Sequence, residues 1–137
     1  MGIVILILAS ICHYLLSMKI DYWMTISALG QKLEVPLAYM NSSGTYRLVN
    51  AILGIAVVLS PLTGGLEVYV GVIAWIIIWL ASGVSGRNAA YNKYRQIAIE
   101  VAVSCDDSDE KERYQKEAAK SNDELAEQVK FAMKHGL

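Results

Sequence analysis

The first 87 residues of this 137-residue chain carry only seven charged side chains, at Lys19, Asp21, Lys32, Glu34, Arg47, Glu67 and Arg87. A soluble helical domain spreads charge along the outer face of every helix, and that scarcity excludes one here. There are two cysteines, Cys12 in an apolar run and Cys105 in a charged segment. With no CxxC pair there is no basis for structural zinc, and the contrast between their settings argues against an intrachain disulfide. A net charge of −1 provides no attraction for a polyanion, so nucleic acid is excluded as an expected partner. No Gly-rich phosphate loop, GxSxG elbow or nucleophile–base–orienter set is present, and no enzyme activity or cofactor is expected. The acidic run Asp106, Asp107, Asp109, Glu110 and Glu112 lacks the glycine and ligand spacing of a calcium loop, and reads as solvated helix capping.

Long apolar runs, by contrast, are present. Gly2–Ser17, Leu48–Leu62 and Leu66–Ala81 are each about 15–17 residues, close to the minimum for crossing a hydrocarbon core. Flanking residues lengthen them to spans over about 2–18, 46–62 and 66–84. The first run has no basic residue before it and no small-x-small cleavage site, so it is expected to be a retained span rather than a secretory signal. Residues 1–87 then form a membrane domain with an interfacial linker over 19–45, and 88–137 a cytoplasmic helical tail. Lys19, Lys32 and Arg47 lie between the first two spans, and Arg87, Lys93 and Arg95 follow the third. Basic residues stay on the cytoplasmic side, which predicts an outside N-terminus and a cytoplasmic C-terminus, in a bacterial inner membrane or its equivalent.

Ser60-Pro61-Leu62-Thr63-Gly64-Gly65 separates the second and third runs and reads as a tight turn. Folding the chain back about Gly64-Gly65 pairs Val58 with Gly71, Gly54 with Ala74 and Ala51 with Ile78, and Ala81 continues the same stripe. Small residues facing one another let helix backbones approach closely in lipid. The sequence therefore predicts a tight antiparallel hairpin packed through Ala51, Gly54, Val58, Gly71, Ala74, Ile78 and Ala81. Trp75 and Trp79 are expected on the other face of the third helix, toward lipid or a partner.

In the linker, Ile26, Leu29, Leu33 and Leu37 recur at helical spacing, the pattern of an interfacial helix lying in the headgroup plane and ended by Pro36. Ser82-Gly83-Val84-Ser85-Gly86 reads as a flexible exit from the third span. Ile97–Val103 alternates like a strand, yet its place after two helices favours helix. Asp107-x-x-Glu110 and Ser121-x-x-Glu124 match capping boxes. Ala118, Leu125 and Ala132 repeat every seven residues, with Tyr114 and Gln128 nearby, a seam for a partner or for self-association.

His13 is the one ionisable side chain well inside a span, and Ser10, His13 and Ser17 share a face. This polar stripe suits interhelical hydrogen bonding or the lining of a pore. A cofactor role for His13 has no second ligand beyond His135 in the tail. The whole reads as an all-α, non-enzymatic integral membrane protein, a structural or accessory subunit whose partners are the bilayer and other membrane subunits or copies of itself. The alternative is a homo-oligomeric pore or membrane-disrupting protein. In layout alone, without a shared motif, the chain resembles one class of phage holins and small two-span bacterial defence effectors, and that resemblance implies the pore.

Overall fold

A computed structural model describes residues 2–30 and 43–135. Among these residues all regular structure is helical: α1 (Gly2–Gly30), α2 (Ser43–Leu59), a 3-10 turn (Ser60–Gly64), α3 (Val68–Ser104), α4 (Ser108–Ala118) and α5 (Asn122–Lys134). Three of the helices are long and apolar enough to cross a membrane, the second taken together with its 3-10 turn. On α1, Ile3, Leu8, Ile11 and Leu15 are exposed. So are Leu48, Ile52 and Ile55 on α2, and Ile73, Ile77, Trp79 and Leu80 on α3. An apolar surface of this extent is characteristic of a chain whose solvent is lipid, and the protein is built to reside in a membrane.

The local causes of the helix ends are visible. Pro61 has no N–H and disfavours helix before it, so α2 stops at Leu59 and tightens into the 3-10 turn. Gly65 then takes a left-handed backbone, φ +73°, and its N–H donates to Leu62 O at 3.2 Å. Glycine adopts that conformation without the Cβ clash other residues meet.

The described residues divide into two compact units, one from 2–21 and 43–86 and the other from 22–30 and 87–135. The second unit has its own core: Ile26 and Leu29 from the end of α1, Ala90, Tyr91, Tyr94, Ala98 and Ala102 from α3, Tyr114 from α4, and Leu125 and Val129 from α5. Tyr94 is fully buried and its hydroxyl donates to Glu117 Oε2 at 2.8 Å. Arg95 closes the end of α4, donating from Nε and Nη2 to Lys120 O, each at 3.0 Å. Asp107 caps α4, accepting from the Asp109 N–H at 2.7 Å, while Ser121 and Glu124 form a full reciprocal capping box at the start of α5.

Three expectations change here. Residues 19–30 are not the start of a separate interfacial helix, because α1 runs unbroken to Gly30 and places Ile26 and Leu29 in the core of the second unit. Leu33, Pro36 and Leu37 lie outside the described residues. The stretch 82–86 is helical and interior to α3 rather than a flexible exit, and Ser82, Gly83 and Gly86 are buried. Their small size serves packing. Finally, the seam of the tail is turned inward: Tyr114, Leu125 and Ala132 are buried, and the first two join the core shared with α3.

Candidate functional site

The first unit draws the polar side chains of its helices toward one another. On α1, His13 and Ser17 lie one turn apart and are both buried. Across from them, Asn50 of α2 places Oδ1 2.9 Å from His13 Nδ1 and 3.0 Å from Ser17 Oγ, with its Nδ2 2.9 Å from the same hydroxyl. The arrangement assigns the protons. An amide oxygen only accepts, so His13 Nδ1 carries the hydrogen, and Nδ2 donates to Ser17. In the neutral ring this leaves a lone pair on Nε2. That atom is buried without a hydrogen-bond partner, and His13 as a whole is 3% exposed. Next to it in sequence, Tyr14 donates from its hydroxyl to Ser85 Oγ on α3 at 3.0 Å. The polar residues of α1 thus reach both other helices of the unit. Ser10, the third member of the expected stripe, is half-buried one turn before His13.

The expected packing residues divide by position. Gly71 is buried against α2, where an added Cβ would collide with the Val58 carbonyl oxygen and stand 2.7 Å from that of Val57. Backbone meets backbone there, which only glycine permits. Gly54 is buried, and Val58, Ala74 and Ile78 are half-buried, but Ala51 and Ala81 are exposed. The inward position after Ile78 is Ser82, which is fully buried. The cause is helical period. A 3,4,3,4 stripe repeats every 3.5 residues, whereas a straight helix repeats every 3.6 and reaches its starting face again after 11 residues, which carries Gly71 to Ser82 and not to Ala81. On α2, the inward place beside Ala51 goes to Asn50, whose amide bonds to α1.

Trp75 and Trp79 are 37% and 58% exposed, yet Trp75 does not stand clear of α2. Its Nε1 is 3.0 Å from where a Gly54 Cβ would be, and His13 Cε1 is 3.3 Å from the same point. Gly54 therefore makes room for the indole and the imidazole together. Both tryptophans line a groove of about 520 Å³ that runs along α2 from Arg47 past Asn50 and Gly54 to Leu59. Asn50 was visible in the sequence as a polar residue in a span. That it would select His13 was not, since the two are 37 positions apart.

Among the described residues no three His, Cys, Asp or Glu side chains come together as a metal site. Cys105 lies near the carboxylates of Glu110, Asp107 and Asp106; desolvation first, then the Glu110 carboxylate, pushes its thiol above the usual range. A thiol so placed is a weak nucleophile. What the geometry offers is a hydrogen-bonded junction of three membrane helices, with a groove beside it. Compared with family models, with curated proteins and with solved structures, the chain finds no match.

Proposed function

We propose that this chain is a non-enzymatic structural or accessory subunit of a larger membrane complex. One observation carries the reading: His13, Tyr14 and Ser17 of α1 are engaged by Asn50 and Ser85 inside the chain, while the outward faces of α1, α2 and α3 are largely aliphatic, with Trp79 exposed on α3. A pore-lining helix needs its polar stripe facing water. Here His13 and Ser17 are engaged by Asn50, and Tyr14 by Ser85. What remains outside is a surface for lipid and for neighbouring helices, associating by shape and small-residue contact.

In this reading α2 and α3 form a tight antiparallel hairpin, supported by Gly71 against the Val57 and Val58 carbonyls and by Trp75 over Gly54. The N-terminus lies outside and the C-terminus in the cytoplasm of a bacterial inner membrane or its equivalent. Support comes from Lys19, Arg47, Arg87, Lys93 and Arg95 at the ends of the apolar segments. The second unit is then a cytoplasmic helical module.

Extraction in a mild detergent followed by mass measurement of the intact assembly tests the function. An assembly with different chains supports the accessory subunit. A closed ring of identical chains, with dye leakage from vesicles, replaces it with the pore. For topology, a reporter fused after Leu137 should be active only as a cytoplasmic probe.

A further inference from the structure

Beyond its apolar run, α3 carries aliphatic side chains that lipid does not cover. Ile99 is 55% exposed and Val103, one turn further on, 76%. Ile99 stands roughly 18 Å along the helix past Arg87, the first charge after the third apolar run. Beside the pair a groove of about 320 Å³ opens between α3 and α4, with Ala102, Ala118 and Ala119 along it and Lys111 on its α4 side. At about 3.6 residues per turn, the order round α3 is Ala102, Ile99, Val103, Glu100. The ridge of Ile99 and Val103 therefore has the groove and a lysine on one flank and a carboxylate on the other. Lys111 and Glu100 are both exposed. Glu100 accepts from Gln96 Nε2 at 2.9 Å, a neutral amide that leaves its charge in place.

That layout is complementary to itself. Two copies in one membrane cross it in the same direction, so their α3 helices run parallel and a two-fold axis along the membrane normal relates them. About such an axis the groove flank of each copy faces the carboxylate flank of the other. We propose that this face joins two copies of the chain in a parallel dimer. The Ile99–Val103 ridge of each copy enters the alanine-lined groove of the other, and Lys111 of each pairs with Glu100 of the other. The dimer rests on the membrane reading for the shared direction of α3, and it is independent of whether other subunits join.

The test uses the purified full chain, labelled with one fluorophore and reconstituted in liposomes at falling protein-to-lipid ratio, with single-molecule photobleaching to count copies. The unaltered chain should bleach in pairs. Glu100→Lys and Lys111→Glu should each raise the dimer dissociation constant about ten-fold, the scale of two exposed ion pairs turned into repulsions. The double variant Glu100→Lys/Lys111→Glu should restore it, because the swapped charges again face each other. Val103→Asp should leave monomers, since it would bury a carboxylate at each ridge. All three positions are exposed, so helix content by circular dichroism should not change in any variant. Monomers at every dilution, a dimer that survives Val103→Asp, or a double variant no better than the single ones each overturns the proposal. The mixed-chain assembly is read separately, from the extracted complex. A different chain crosslinked there through position 103 would assign this face to that chain and overturn the dimer.

Discussion

Replacing Asn50 with leucine probes the junction most directly. Asn50 accepts from His13 Nδ1 at 2.9 Å and bonds to Ser17 Oγ at 2.9–3.0 Å. Interhelical hydrogen bonds within a bilayer average about 0.6 kcal/mol and reach roughly 1.7. Were that the whole effect, losing two of them would cost about 1–3 kcal/mol. Asn50→Leu does more, because it leaves the His13 N–H without an acceptor in a ring that already has an unpartnered Nε2. A buried orphan adds about 1–3 kcal/mol. Ser17 escapes most of the penalty by turning its hydroxyl to a carbonyl of its own helix. The expected loss is therefore about 2–4 kcal/mol for Asn50→Leu, against about 0.6 kcal/mol for Ser17→Ala. Reversible unfolding in mixed micelles, titrated with a denaturing detergent and followed by circular dichroism, measures both. The double variant Asn50→Leu/His13→Leu should recover part of the loss, since it removes the orphan along with its partner. If Asn50→Leu is no worse than Ser17→Ala, or the double variant is simply additive, His13 does not depend on Asn50 and the junction is not what joins α1 to α2.

Further tests follow from packing and charge. Gly71→Ala should destabilise by about 1–3 kcal/mol, because its Cβ meets backbone oxygens that cannot rotate away, while Val72→Leu on the exposed side should stay within about 0.5 kcal/mol; equal tolerance would place the α2 contact elsewhere. Ser82→Leu should be disruptive and Ala81→Leu neutral in the same unfolding assay, and the reverse ranking would restore the 3.5-residue stripe. Tyr94→Phe, which takes the donor from Glu117, should cost about 1 kcal/mol, seen as faster amide exchange in α4. Glu124 is held below the ordinary glutamate range by the Ser121 backbone N–H and then by its hydroxyl. Its folded pKa is depressed, so its contribution is present above the unfolded value and is lost as pH falls through the folded one. Exchange protection at the start of α5 should drop across that acid range, and Glu124→Ala should remove the dependence; a pH response that survives the substitution would assign it to another group.

The parts of this protein legible in one dimension are those whose causes are local. Apolar length identifies three crossing helices, because a span is defined by its own residues and by lipid. Pro61 with Gly65 marks the turn, and Ser121 with Glu124 marks the start of α5, since caps and turns are made by neighbours within four positions. Gly71 opposite Val58 was readable because a short turn constrains which residues of consecutive helices can meet. Beyond that turn, spacing along the chain constrains the partner less. A stripe counted at 3.5 residues drifts off a helix that repeats at 3.6, and by the third turn it names Ala81 where Ser82 is buried. Ile26 and Leu29 present an apolar stripe that fits a headgroup plane as well as a protein core. Only the presence of Ala98, Tyr94 and Leu125 in the same cluster decides between them.

Local chemistry along the chain is enough to make it helical, to suit three of its helices to lipid, and to cap the later ones. Which face each helix hides follows only from the packed fold: His13 meets Asn50, Trp75 lies over Gly54, and the tail turns its seam onto α3. The reason is one of range. Propensity, capping and hydrophobic length act within a few residues, whereas the choice of partner depends on which distant surfaces arrive together, and a period of apolar residues is equally satisfied by lipid, by a neighbour or by the chain's own core.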